Sequence, residues 1–267
     1  MRIVSHTCSN TEILCALGLA EHIVGVDDHS DHPPEVVESV AKIGPDLSID
    51  IEKITALKPD LVVTSLTVPG HEKCLQALQD ADLPVVVTEP KCLLDVACDI
   101  QTIADAANVS QKGREIAQVF RDRLAQFQAE QEQSAYTPVS IAVEWWPKPV
   151  IVPAKDSWVN QMLELAGAHN PWCKQSGSSL IIEPAQAKAI NPEAVVMSWC
   201  GVKESKYRPH VVAQREGWST VSAIQRQHIY PISEAFLGRP GPRLIQGIEH
   251  LRQVVERVRS QPSQTTP

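Results

Sequence analysis

At 267 residues the chain is long enough for two domains of ordinary size, and 43% hydrophobic against 21% charged residues is the balance of a folded chain, which excludes bulk disorder. A formal charge of −8, with no stripe of Lys or Arg, excludes nucleic acid as a partner, because binding it needs clustered cations to displace counterions. No apolar run reaches the ~18–20 residues that a membrane-crossing helix requires.

Residues 2–5 read as a first strand. Ser9, with Glu12 three positions on, predicts a capping box and a helix through Ile13, Leu14 and Leu17 that stops at Gly18. His6-Thr7-Cys8 then falls between a strand's carboxyl end and a helix N-terminus, where open N–H groups can hold a polar or anionic ligand group. Residues 23–26 are a second strand, and 27–34 a polar loop closed by Pro33 and Pro34. A short helix over 51–57 is stopped by Lys58-Pro59-Asp60, and the apolar run 61–64 reads as a buried parallel strand. A helix over 72–81 and a strand over 84–87 complete an alternation that predicts a parallel sheet with helices on its faces. Residues 93–107 are helical, and a second helix from the Ser110 cap to about Gln133 carries Ile116, Val119, Phe120, Leu124 and Phe127 on one face. At ~1.5 Å per residue it spans ~35 Å, the length of a connection between lobes.

The pattern then restarts. A strand over 139–143 and a helix over 157–167 repeat the strand–helix–Gly unit of residues 2–18. Asn191-Pro192-Glu193 before 194–196 repeats Lys58-Pro59-Asp60 before 61–63 at an offset of about 133, the mark of two like-folded lobes. Between these copies the chain is predicted to leave the sheet at Glu144-Trp145-Trp146-Pro147-Lys148-Pro149, because proline cannot donate to a strand ladder. Residues 217–223 read as a short helix, 228–232 as a strand, 236–243 as a loop and 244–259 as a closing helix, with a frayed tail from Ser260. The lobes are therefore placed at 1–108 and 135–267, with a linking helix at 109–134.

Residues 3–5, Ser9-Asn10-Thr11-Glu12-Ile13-Leu14, Ala16-Leu17-Gly18-Leu19, Val24-Gly25-Val26, Ser30-Asp31-His32-Pro33 and Leu57-Lys58-Pro59-Asp60-Leu61-Val62 resemble the class III substrate-binding proteins of ABC importers. Leu163-Glu164-Leu165-Ala166-Gly167 and Arg239-Pro240-Gly241-Pro242-Arg243 resemble the second lobe of the cobalamin-binding branch. The resemblance spans nearly the whole chain. It implies an α/β fold of two Rossmann-like lobes with parallel sheets, joined by one long helix, with the ligand cleft between them and little hinge motion. It also implies a non-catalytic monomer that binds cobalamin or a related corrinoid and serves an ABC permease. A ferric siderophore or haem is the alternative ligand, and a cytosolic corrinoid carrier the alternative role.

Trp145, Trp146 and Trp199 follow strands of the second lobe, and their flat indoles suit a broad apolar ligand. Thr7, Cys8 and Ser9 at the first turn, with Phe236, Arg239 and Arg243 in the late loop, complete the expected ligand-binding set. Glu72 and Glu204 come at nearly equivalent places after 62–65 and 195–198, and the resemblance implies that such acids dock on permease arginines.

Other chemistry is weaker. His29-x-x-His32 with His6 and His71 is loose spacing for a metal, so no metal is expected. Cys8 near His6 matches no hydrolase or transferase motif, and no G-x-G-x-x-G is present, so neither catalysis nor a catalytic cofactor is expected. The resemblance implies a periplasmic setting. Seven scattered Cys without a C-x-x-C pair, and a first strand with no signal-like segment before it, point instead to the cytoplasm.

Overall fold

The computed structural model describes residues 1–260, so the expected fraying beyond Ser260 lies outside the described residues. The chain forms two compact units: Met1–Pro90 with Leu94–Asp122 and Pro240–Pro242, and Lys91–Leu93 with Arg123–Arg239 and the chain from Arg243 on. No described helix is long and apolar enough to cross a membrane.

The first unit begins β1 (Ile3–Ser5), α1 (Cys8–Ala16), β2 (Ile23–Val26), α2 (Pro34–Val37), β3 (Ala41–Lys42), α3 (Ile51–Ala56), β4 (Leu61–Ser65), α4 (His71–Asp80) and β5 (Val85–Thr88), then α5 (Leu93–Ala106). Its strands are all parallel in the order β3-β2-β1-β4-β5. Val4, Ile43, Ile54, Val62 and Leu78 form one core on this sheet. The Asp50 side chain accepts from the Lys53 N–H at 2.9 Å and starts α3, and Leu57 ends it before Lys58, at φ 47°, turns the chain into β4. The Ser9 capping box does not form. Thr7, at φ 83° and ψ 143°, is the N-cap and makes no side-chain cap bond, while Ser9 lies inside the helix and is buried. Tertiary contacts fix the entry angle here, and local capping does not. The predicted stop is present, with Leu17 as C-cap and Gly18 at φ 80°.

The linking helix is α6 (Ser110–Glu132), 23 residues that pass from the first unit to the second at Asp122/Arg123. Its start packs tightly on α5: a Cβ at Gly113 would fall 2.3 Å from the Ala104 Cβ.

The second unit continues β6 (Val139–Glu144), β7 (Trp146–Pro147), β8 (Val150–Pro153), α7 (Val159–Ala166), β9 (Ala168–His169), β10 (Ser179–Ile182), α8 (Pro184–Ile190), β11 (Ala194–Met197), α9 (Pro209–Ala213), α10 (Ser222–Gln225), β12 (Ile229–Pro231), α11 (Glu234–Leu237) and α12 (Leu244–Ser260). Its main sheet is parallel, in the order β12-β11-β6-β9. Read from the other side, β9-β6-β11-β12 repeats β2-β1-β4-β5, so the internal repeat is a repeat of topology.

One reading is extended here and two are corrected. The chain leaves the main sheet after Glu144, as expected, and folds at once into further strands: β7 is antiparallel to β8, which pairs antiparallel with β10 in a separate three-stranded sheet. Pro147 is tolerated because β7 is an edge strand, where its missing N–H breaks no ladder. Residues 217–221 are a turn whose Trp218 is buried in the core, and the helix spans only Ser222–Gln225. Phe236 sits in α11, which the Ser233 side chain caps. α12 closes the unit, and a Cβ at Gly247 would fall 2.0 Å from the Phe236 carbonyl oxygen, so only glycine allows this approach of α12 to α11.

Candidate functional site

Parallel α/β sheets gather their chemistry at the carboxyl ends of the strands. In the first unit that edge is polar and buried. Ser5 ends β1, Asp27 follows β2, Thr64 and Ser65 end β4 and Thr88 ends β5, each at most 3% exposed. Asp27 organises the edge. Its Oδ2 accepts from the Thr7 N–H at 3.0 Å and the Ser30 hydroxyl at 2.6 Å, and its Oδ1 from the N–H groups of His29 (2.8 Å) and Ser30 (3.1 Å). Four donors satisfy a carboxylate that would otherwise be too costly to bury. They also hold Thr7 in its uncommon backbone conformation, with the Thr7 carbonyl accepting from Thr11 N–H at 3.2 Å.

The expected trio separates accordingly. The Thr7 and Ser9 hydroxyls lie 3.1 Å apart and are buried, while Cys8 is half-buried with its thiol donating to the His29 carbonyl at 3.0 Å. Asp46 collects the histidines. His6 Nε2 lies 2.7 Å from the Asp46 carbonyl oxygen, which can only accept, so this nitrogen carries the proton. His6 Nδ1 is then the acceptor for the Thr64 hydroxyl, at 2.6 Å. The Asp46 carboxylate faces His29 Nε2 at 3.5 Å and His71 Nε2 at 3.7 Å, and His71 meets the His6 ring edge-on at 5.0 Å. Burial holds His6 below the usual imidazole range, and the facing His71 imidazole holds Asp46 below the usual carboxylate range. Among the described residues no group of three or more His, Cys, Asp or Glu is arranged to hold a metal ion.

In the second unit the corresponding edge belongs to Glu144, the last residue of β6, 1% exposed. Arg215 forks onto it, Nη1 to Oε2 at 2.7 Å and Nη2 to Oε1 at 2.9 Å, and Trp199 Nε1 donates to Oε1 at 2.8 Å. The Arg215 guanidinium lies 4.6 Å from the Trp218 ring centroid. The three expected indoles therefore have different fates. Trp199 is not at the surface: it is packed in the core, its ring 5.3 Å from Tyr207. Trp145 is half-buried, and its backbone ties β8 to the Cys200 N–H. Trp146 is 41% exposed, and its Nε1 donates to the Lys148 carbonyl at 3.0 Å, which fixes the ring.

Arg239 is paired with Glu234 through Nε (3.0 Å) and Nη2 (2.8 Å) to Oε1, and Glu234 Oε2 accepts the Gly201 N–H at 3.1 Å. Arg243 lies 4.8 Å over the Phe236 ring, whose edge meets His250 at 4.8 Å. Glu72 is exposed in the first turn of α4 and its Oε2 accepts the Gly70 N–H at 2.8 Å; backbone N–H groups hold it below the usual carboxylate range. Glu204 opens a 3₁₀ turn, Glu204–Lys206, after β11, and lines a surface cavity of about 240 Å³ with Tyr230, Phe236 and His250. The acids thus follow β4 and β11, the matching strands of the two sheets. The carboxylate hubs Asp27 and Glu144 are not among the expected site residues: their partners lie up to 71 residues away, and no local spacing marks them.

Residues 3–235 match the family described as "Periplasmic binding protein". An uncharacterised ABC transporter substrate-binding lipoprotein of Bacillus subtilis, YvrC, is 31% identical over 258 residues, covering 95% of this chain and 79% of that protein. The crystal structure of the periplasmic vitamin B12 binding protein BtuF of Vibrio cholerae superposes with a TM-score of 0.80 at 24% identity, covering 97% of this chain and 98% of that one. The periplasmic haem-binding protein RhuT of Roseiflexus superposes with a TM-score of 0.84 at 24% identity, covering 96% and 98%.

Removing one partner of the Glu144 pair leaves a buried, uncompensated charge. Arg215→Met is expected to cost about 3–5 kcal/mol in urea unfolding, and the double variant Glu144→Leu/Arg215→Met to recover much of that loss. A double variant no more stable than the single one would rule this account out.

His6 also sets a pH dependence. Its folded pKa is lowered, so its contribution is intact above pH 6.5 and falls as pH drops through 6.5 towards the folded value, by at most about 1.4 kcal/mol per pH unit. Asp46 acts in the other window: its contribution is present above the ordinary Asp range and is lost only as pH falls through its lower folded value. Urea midpoints at pH 7.5 and 5.5 should differ less in His6→Gln than in the parent chain. Equal differences would show that His6 titrates alike in both states.

Proposed function

The chain belongs to the periplasmic binding protein family of ABC importers, and on that premise we propose that it captures a large macrocyclic cofactor, cobalamin or a related corrinoid first, and delivers it to a membrane permease. The observation that carries the ligand reading is Trp146, a large flat apolar ring held rigid by its own N–H bond and left open to solvent. A fixed indole loses little entropy on binding and offers area to a flat ring system. The vitamin B12 binding relative of Vibrio cholerae supports the corrinoid form of this reading. The haem-binding neighbour, with a TM-score of 0.84, supports haem as the second form. The role is non-catalytic, and the setting is periplasmic or lipoprotein-anchored, as the family name and the Bacillus subtilis relative suggest.

Cyanocobalamin, haemin and a siderophore panel, each incubated with the chain and read by native mass spectrometry, identify the ligand class. The bound macrocycle should quench tryptophan fluorescence, and Trp146→Ala should weaken binding by about 1–3 kcal/mol. Unchanged affinity in that variant would move the site away from the hairpin.

Glu72 and Glu204 are proposed as the docking acids, each exposed at the start of a helical turn after matching strands. Such charges set orientation and encounter rate more than affinity. Reversing both to Lys should abolish ligand uptake in cells while leaving ligand affinity unchanged. Uptake at the parental rate would make them ordinary surface carboxylates.

A further inference from the structure

The sheet β10-β8-β7 has two faces of different character. Its inner face carries Val150, Val152 and Ile182, all buried in the core of the second unit. Its outer face is set by register: Trp146 pairs with Ile151, and Ile151 pairs with Ile181. Directly opposed residues on antiparallel strands point to the same side, so these three side chains form one row across the sheet. Trp146 is 41% exposed, Ile151 is half-buried and Ile181 is 55% exposed on the edge strand β10. Two strand spacings make the row about 10 Å broad.

The row carries neither charge nor, once the indole N–H is bound to Lys148, a spare donor. Its backing is a packed core, so it is rigid. An exposed isoleucine on an edge strand is an aggregation hazard unless something covers it, and a contiguous apolar patch marks a binding surface where single exposed residues do not.

We propose that Ile151 and Ile181 extend the Trp146 surface into a specificity-determining shelf on which the hydrocarbon face of a flat macrocycle lies. The inference rests on the macrocycle reading given above and names the residues that select for it. The breadth of the row fits a ring system and not a single alkyl chain. Its lack of polar groups assigns it the carbon face of the ligand and leaves the polar periphery to other contacts. Ile181 acts by position: a cation placed there would be desolvated under the ring, whereas another aliphatic side chain would keep the shelf.

The test uses the full chain with cyanocobalamin and haemin as separate probes, titrated by tryptophan quenching and by calorimetry. For whichever probe the parent binds, Ile181→Lys should weaken binding at least tenfold and Ile181→Leu by no more than about threefold. Ile190→Lys, on α8 and 40% exposed, should change nothing and controls for charge alone. Circular dichroism spectra confirm that each variant is folded. Parental affinity in Ile181→Lys together with weakened binding in Trp146→Ala overturns the shelf and leaves the macrocycle reading standing. Equal losses in Ile181→Lys and Ile190→Lys also overturn the shelf. If the parent binds neither probe, the macrocycle reading fails and the shelf fails with it.

Discussion

The second unit depends on one buried carboxylate. Glu144 ends the central strand β6 at 1% exposure, which is tolerable only because Arg215 forks onto both oxygens and Trp199 donates to one of them. These bonds tie the strand end to the segment after β11 and to the turn before α10. Trp218 lies under the same guanidinium and fills the core beneath it. With this cluster fixed, the chain after Glu144 is released from a defined point, and the hairpin that carries Trp146 has a firm root.

The first unit solves the same problem differently. Its strand ends bury hydroxyls and one carboxylate, and Asp27 is satisfied by backbone and hydroxyl donors without a cation. Lys42 reaches the carbonyls of Asp27 and Ser30, at 3.4 and 3.1 Å, and not the carboxylate. Such a network specifies one conformation, because each group left unpaired in a dry site would be heavily penalised. The polar loop between β2 and α2 is therefore structural at its first residues, whatever its outer residues do.

Much of the fold was legible because it obeys short-range rules. Periodicity located β4, α4, α5, α6 and α12 to within a residue or two, and the glycines after α1 and α7 mark left-handed stops, at φ 80° and 82°. The repeat offset was legible because Pro59-Asp60 and Pro192-Glu193 precede equivalent strands. The antiparallel sheet was not, since a two-residue strand containing proline carries no pattern that a window can detect. The capping box at Ser9 failed because Asp27, eighteen positions away, holds Thr7 instead. Among the candidate site residues, sequence alone could not sort the indoles. Trp145, Trp146 and Trp199 all follow strands, and only the hydrogen bond to Glu144 draws Trp199 inward. In the same way Arg239 reads as an open cation until Glu234, five residues earlier, is seen turned towards it.

The two main sheets share one topology, but only the second interrupts it between β6 and α7 with an added hairpin, later joined by β10. The hydrogen-bond ladder β9-β6-β11-β12 does not depend on what that insert contains, apart from the backbone tie at Trp145. A lineage can therefore resurface the outer face of the insert, while its inner face, packed in the core with β6 and β11, is inherited with the scaffold. Variation is thereby channelled to one side of the insert, the side turned away from the core.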